Sequence, residues 1–78
     1  MSAETEKEIL EILEEAIKRE QAAYTLYSRG RELSEKPEMK KIFTMLADEE
    51  RNHEKLLRQV YYEYKKRLGL KVLRPGDE

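Results

Sequence analysis

Residues 46–57 read LADEERNHEKLL, and this stretch decides the fold. It places the only histidine of the chain, His53, and a glutamate three residues earlier, Glu50, in line with leucines. Residues three or four apart lie on one face of an α-helix, so the leucines indicate a packed face that the two polar residues interrupt. A carboxylate and an imidazole on a packed face need compensating partners, and the fold must supply them.

The interrupted face extends along a predicted second helix as a stripe with alternating steps of four and three residues, which is typical of a coiled-coil or bundle seam. Its members are Met39, Phe43, Leu46, Glu50, His53, Leu57, Val60 and Tyr64. A similar stripe in the first half of the chain consists of Ile9, Leu13, Ile17, Glu20, Tyr24 and Tyr27. Glu20 interrupts the first stripe as Glu50 interrupts the second.

Two segments rich in Glu, Lys, Leu, Ala and Arg have no proline in their interiors, which predicts an all-α antiparallel two-helix hairpin. The first helix is expected over about 5–33. Thr5 and Glu8 would form a capping box at its start, and Gly30 would weaken its last turn.

The second helix is expected over about 37–68, because Pro37 suits the first helical turn and Gly69 suits a C-cap. We expect residues 69–78 to be a loose tail, and residues 1–78 to form a single domain. Fraying is the common behaviour of such a terminal segment.

The polar residues of the two stripes should meet at mid-hairpin. If the turn is centred near Glu35, Glu20 and Glu50 are equally far from it in sequence, and His53 lies about one helical turn further on. A hairpin covers each helix on one face only, so the apolar stripes need another surface, and a twofold homodimer is the commonest solution. We therefore expect two hairpins to form a four-helix bundle.

In that dimer each first helix contributes one Glu, and each second helix contributes a Glu-x-x-His pair. Dimetal carboxylate four-helix bundles use this ligand set. Buried carboxylates without compensation are very unfavourable, and two divalent cations would offset four of them. We therefore predict Glu20, Glu50 and His53 as catalytic residues that bind metal. We expect two metal ions per dimer, and these carboxylate and imidazole donors suit iron, manganese and zinc.

Two ambiguities follow from periodicity alone. Glu49 lies four residues before His53 on a neighbouring stripe, so it is an alternative ligand to Glu50. The polar residues could also form a metal-free layer that fixes the register between helices, in which case the chain is a structural oligomerisation module. That second reading does not explain why Glu20 lies at the matching height. Tyr27, two turns after Glu20, is a candidate to donate a hydrogen bond to a metal ligand.

Composition excludes several function classes. Asp, Glu, Lys and Arg make up 42% of the 78 residues, but the net charge is only -1, so nothing favours nucleic acid. There is no cysteine, and hence no disulfide, thiolate or iron–sulfur site. The acidic start lacks the pattern of a signal peptide, and no apolar run suits a membrane span. We expect a soluble, cytoplasmic protein.

The run from Ile17 to Leu57, with Glu20, Ala23 and Tyr27 followed by PEMKKIFTMLADEERNH, resembles the ferritin-like and rubrerythrin superfamily. It is most similar to the short two-helix encapsulated ferritins. The resemblance covers about two thirds of the chain and includes the Glu to Glu-x-x-His separation and the Pro-Glu pair that opens the second helix.

This resemblance implies a ferroxidase centre that binds two iron ions between two chains, with Glu20, Glu50 and His53 as ligands and Tyr27 near the centre. It favours Glu50 over Glu49. It also implies rings of dimers, such as a decamer, packaged in an encapsulin shell, and the tail over 69–78 is faintly similar to a shell-docking peptide. Arg19 and Ala22 depart from it, because the group has acidic residues there that form an outer iron-uptake site, and Leu26 stands where the group has an aromatic residue. A rubrerythrin-like peroxidase is the alternative activity, and it would need an external electron donor.

Overall fold

The computed structural model describes residues 2–69, which form two long antiparallel helices. Helix α1 spans Ala3–Leu33 and helix α2 spans Pro37–Arg67, each with 31 residues. Only residues 34–36 link them, so the helices pack against each other as immediate neighbours. The predicted all-α helical hairpin is confirmed.

The start of α1 differs from the predicted capping box. Ser2 is the N-cap, and its hydroxyl oxygen accepts a hydrogen bond of 3.2 Å from the Thr5 backbone N–H. The helix therefore begins at Ala3, and Thr5 is inside its first turn rather than at its cap. A serine cap satisfies one of the backbone N–H groups that lack an intrahelical partner. Glu4 and Glu6 add favourable negative charge near the same terminus.

The linker stops one helix and starts the next through its own hydrogen bonds. The Ser34 backbone N–H and hydroxyl both donate to the Gly30 carbonyl, at 3.0 and 2.7 Å, and close α1. Pro37 opens α2 as predicted, because its missing N–H lies where no intrahelical partner exists. Lys40 Nζ donates to the Arg31 carbonyl at 3.1 Å, which satisfies an acceptor at the end of α1.

Gly30 does not weaken the last turn of α1, which continues to Leu33. A Cβ atom at Gly30 would lie 2.7 Å from Cε1 of the Phe43 ring, closer than real Cβ atoms approach. The glycine thus lets the Phe43 ring pack directly on the α1 backbone. Its role is a close approach between the helices, and the fraying predicted from its propensity is wrong.

The register of the hairpin is shifted relative to the turn. Side-chain pairs that join the helices lie symmetrically about the point between Pro37 and Glu38, whereas the sequence placed the centre near Glu35. These pairs are Glu14–Tyr61, Gln21–Glu54 and Tyr24–Arg51. Side chains on a helix lean toward its N-terminus, which is away from the turn in α1 and toward it in α2. Residues of α2 must therefore lie further along the chain to meet their α1 partners.

The hairpin buries little apolar surface by itself. Among the described residues only Leu10, Ile17 and Ala47 are buried, and no helix is long and apolar enough to cross a membrane. Several large apolar side chains are between 41% and 69% exposed, namely Ile12, Leu26, Leu33, Met39, Ile42, Met45, Leu56 and Val60. A hairpin of this kind leaves an apolar flank that another surface can cover.

The end of α2 agrees with the predicted glycine cap. Gly69 has φ 75°, and its backbone N–H donates to the Lys66 carbonyl at 3.0 Å. This left-handed conformation is readily accessible to glycine and closes the helix. Apart from Gly69, the tail predicted over 69–78 lies outside the described residues.

Candidate metal centre

Glu20 lies on α1 at the edge of the face that packs against α2. Ile17, one turn before it, is buried, and Tyr24, one turn after it, is half-buried. The Glu20 side chain is 22% exposed, and its Oε2 atom is buried without a hydrogen-bond partner in the described chain. Such an oxygen has lost hydration without compensation, which is unfavourable unless a cation binds it.

Glu50 and His53 project from one face of α2, a single helical turn apart. His53 Nδ1 lies 3.6 Å from Glu20 Oε2 and 3.8 Å from Glu50 Oε2. Both distances exceed those of N–H···O hydrogen bonds, so the three groups surround a common space without bonding one another. The structure thus brings together all three residues that the sequence predicted as ligands.

These donors fit a divalent metal. One ligand atom from each of Glu20, Glu50 and His53 lies within 4.8 Å of the other two. Atoms bound to one ion at about 2.0–2.2 Å must lie within about 4 Å of one another, so small side-chain rotations would gather them around a cation. Carboxylate oxygens with an imidazole nitrogen suit iron, manganese and zinc. The Glu20 oxygen without a partner is the atom that a cation would stabilise most.

His53 is more exposed than Glu50 in a single hairpin. Its side chain is 57% exposed, whereas that of Glu50 is 18% exposed. The difference shows that α1 covers Glu50 more fully than it covers His53. Met39 and Val60, which belong to the same predicted seam, are each 41% exposed. The sequence predicted burial of the imidazole where two copies of the chain meet, and that burial stays a prediction.

The structure separates the two candidate glutamates. Glu49 is exposed and is not among the three residues whose ligand atoms converge. Glu50 is half-buried and belongs to that cluster. Tyr27 is half-buried, and the hydrogen bonds found between residues 2 and 69 do not connect it to the cluster. Its support of a ligand stays a prediction.

The sequence did not reveal the contacts on the solvent side of the cluster. The Arg51 guanidinium lies over the Tyr24 ring, 4.4 Å from its centroid. Gln21 Nε2 donates to Glu54 Oε2 at 3.3 Å and joins the two helices one residue beyond Glu20 and His53. Helical periodicity does not predict which of these side chains contact each other. The only signal in the sequence is that Gln21, Arg51 and Glu54 directly follow the three ligands.

Two further polar contacts involve side chains farther along α2. Arg58 Nε donates to Glu54 Oε2 at 2.8 Å, and this hydrogen bond raises the pKa of the guanidinium above its ordinary value. Farther from the cluster, the Tyr61 hydroxyl donates to Glu14 Oε1 at 2.5 Å. Burial, followed by that hydrogen bond, raises the pKa of the Tyr61 phenol. This second contact joins the helices about 12 Å along α2 from His53, at 1.5 Å per residue.

Comparison with known families agrees with this geometry. A family model described as Rubrerythrin matches residues 11–76, a range that includes Glu20, Glu50 and His53. No curated protein and no solved structure matches the chain significantly. The match covers most of α1, the linker and all of α2, so it concerns the hairpin as a whole and not only the Glu-x-x-His segment.

Proposed function

The chain belongs to the rubrerythrin family of ferritin-like di-iron proteins, and from that premise we propose that it is a ferroxidase. The proposed reaction oxidises Fe(II) to Fe(III) for iron storage or detoxification, at a centre completed between two copies of the chain. The observation that supports it most is the convergence of Glu20, Glu50 and His53, together with the buried Glu20 oxygen that lacks a partner.

A second copy is needed because one hairpin supplies only three ligand side chains. Two metal ions require more donors than that, and a twofold axis through the cluster would double the set. The same step would cover His53, which one chain leaves 57% exposed. It would also cover part of the apolar flank, with a gain of about 25 cal/mol per Å² of apolar surface removed from water.

The pattern of α2 favours such an axis. Apolar seam residues occur at mirrored spacings on the two sides of the Glu50–His53 centre. They are Met39, Phe43 and Leu46 on one side, with Leu57, Val60 and Tyr64 on the other. A second α2 packed antiparallel about that centre would place the apolar side chains of one copy against those of the other. It would also bring the partner's His53 level with Glu50. On α1, Leu13 and Tyr27 are likewise mirrored about Glu20.

Each ligand has a distinct role in this proposal. Glu50 or its symmetry mate would bridge the two ions, Glu20 would be a further carboxylate ligand, and His53 would complete each shell as a neutral nitrogen donor. The carboxylates attract Fe(II) and offset its charge. Two Fe(II) ions lose one electron each, and dioxygen or peroxide accepts the pair with two protons. The redox chemistry is supplied by iron, whereas the chain holds the ions close together.

Higher assembly is a separate proposal that rests on resemblance alone. Rings of dimers, such as a decamer, inside an encapsulin shell would give the oxidised iron a place to collect. We do not propose an outer iron-uptake site, because Arg19 and Leu26 are exposed where the resembling group has acidic and aromatic residues. A positive charge there would repel approaching Fe(II).

A peroxidase is the second candidate, and the rubrerythrin match favours it. In this alternative the same three ligands hold the metals, and peroxide is the physiological oxidant. The 78 residues contain no cysteine, so a four-cysteine electron relay is not part of them and the reducing electrons must come from outside these residues. Turnover with peroxide and dioxygen, compared at equal Fe(II), separates the two activities.

Anaerobic addition of Fe(II) with measurement of molecular mass tests the common core of both proposals. We expect binding to saturate close to one iron per chain, with the dimer stabilised by metal. His53→Ala should lose most of this binding. Wild-type protein that binds no iron, or His53→Ala that binds and oxidises iron as fast as wild type, would show that the centre is misassigned and would favour a metal-free oligomerisation module.

A further inference from the structure

Arg51 occupies an unusual position for a cation next to a carboxylate cluster. It directly follows Glu50 in the chain, and its side chain is long enough to reach carboxylates around it. In the described part of the chain, however, its guanidinium has no carboxylate oxygen within ion-pair distance. It lies instead over the Tyr24 ring, 4.4 Å from the centroid.

Tyr24 is placed to hold that guanidinium. It lies one helical turn after Glu20 on the same face of α1 and is half-buried, and its ring holds the Arg51 guanidinium at its own level of the hairpin. The negative face of an aromatic ring attracts a cation, and arginine stacks on such faces particularly well. The contact therefore offers Arg51 an alternative to pairing with Glu20 or Glu50.

The unpaired oxygen of Glu20 supports this view. Glu20 Oε2 is buried without a partner, although the Arg51 guanidinium of the facing helix stacks on a ring one helical turn from Glu20. A guanidinium that reached the cluster would form strong bidentate hydrogen bonds with its carboxylates and occupy their lone pairs. Metal binding would then have to displace it.

We propose that Tyr24 is a positioning residue that keeps Arg51 away from the Glu20 and Glu50 carboxylates and so leaves them free for a divalent cation. This inference rests on the metal centre of the proposed function. Tyr24 touches neither metal nor oxidant in this account and acts only through Arg51. The same contact also fastens α1 to α2 beside the ligands, so the test must separate the two effects.

Binding isotherms with Co²⁺, a divalent probe that needs no redox turnover, make that separation. Tyr24→Leu removes the ring and releases Arg51, and we expect metal affinity to fall by roughly three- to tenfold, the range that such a contact can supply. Tyr24→Phe keeps the ring and should bind as wild type does. Tyr24→Leu combined with Arg51→Gln should recover wild-type affinity, because no guanidinium remains to compete.

Tyr61→Leu is the matched control, since it removes a half-buried tyrosine that joins the helices away from the cluster. It should lower the free energy of unfolding and leave Co²⁺ affinity unchanged. Failure of Arg51→Gln to restore binding in the Tyr24→Leu background would overturn the inference, as would weaker binding by Arg51→Gln alone. Should Tyr24→Leu not fold, the Arg51→Gln and Tyr24→Phe isotherms decide. Absence of Co²⁺ binding by wild type would instead contradict the metal centre itself.

Discussion

The Glu20 carboxylate on α1 lies 3.6 Å from the His53 imidazole on α2, across a hairpin whose two helices are joined by three residues. No hydrogen bond joins the two groups at that distance, and Glu20 Oε2 is buried without any other partner among residues 2–69. Two helices thus present a carboxylate and an imidazole to one space. Glu50 adds a second carboxylate at 3.8 Å from the same nitrogen.

Replacement of adjacent glutamates tests the assignment of ligands. Glu50→Gln should lower iron affinity by about tenfold or more, because even residues that only support a metal ligand cost that much when changed. Glu49→Gln removes the same charge one residue earlier from an exposed position and should bind iron as wild type does. Anaerobic Fe(II) binding measured on both variants checks this, and equal losses would mean that overall charge, not ligation, controls affinity.

Removal of the Glu20 charge should have opposite effects with and without metal. In metal-free protein Glu20→Gln relieves a buried carboxylate oxygen that lacks a partner, and we expect the free energy of unfolding to rise by about 0.5–1 kcal/mol. With Fe(II) or Zn²⁺ present, the variant should gain less stability than wild type because one ligand charge is lost. Urea unfolding with and without chelator measures both. A variant less stable than wild type in chelator would show that Glu20 is already satisfied.

Helical periodicity was sufficient to select these three residues, because Glu20, Glu50 and His53 interrupt the apolar stripes of the two helices, although Glu20 and Glu50 do not lie at equal heights in the observed register. It could not predict the register, since that depends on the lean of side chains along each helix and not on the position of the turn. Nor could it predict that Ser2 caps α1 or that Arg51 stacks on Tyr24. Those contacts depend on which rotamer a surface side chain adopts once both helices are in place.

Helix propensity alone also fails to predict the effect of replacing Gly30. Gly30→Ala adds up to about 1 kcal/mol of helix propensity, but it places a Cβ 2.7 Å from the Phe43 ring, and overpacking costs about 1–3 kcal/mol. We expect a net loss of about 1 kcal/mol in the free energy of unfolding. In a Phe43→Ala background the clash is absent, so the same change should become stabilising. Urea unfolding of the four proteins tests this, and a stabilising Gly30→Ala in the wild-type background would mean that the ring shifts freely.

The contact between Tyr61 and Glu14 should depend on pH. Because its pKa is raised in the folded protein, the Tyr61 phenol contributes stability that is fully present below its unfolded pKa of about 10. That contribution is lost as pH rises through the folded pKa. The stability difference between wild type and Tyr61→Phe should therefore shrink above pH about 10. The difference in tyrosinate absorbance between wild type and Tyr61→Phe isolates the Tyr61 phenol, which should ionise above the ordinary range of tyrosine. Glu14→Gln should lower the midpoint of that ionisation. An ordinary midpoint for this phenol would contradict the hydrogen bond.

The proposed twofold packing of α2 makes a last prediction. Val60 belongs to the mirrored seam and is 41% exposed in one hairpin, so Val60→Glu would bury a charge where two copies meet. We expect it to shift the protein to monomer and to weaken iron binding with it, because each centre needs ligands from both chains. Gln59→Glu introduces the same charge at the exposed neighbouring position and should leave the dimer intact. Sedimentation of both variants with and without Fe(II) measures assembly. Since one chain already gathers three ligands, a monomeric Val60→Glu that still binds one iron per chain at wild-type affinity would place a complete metal site within a single hairpin and remove the need for a partner.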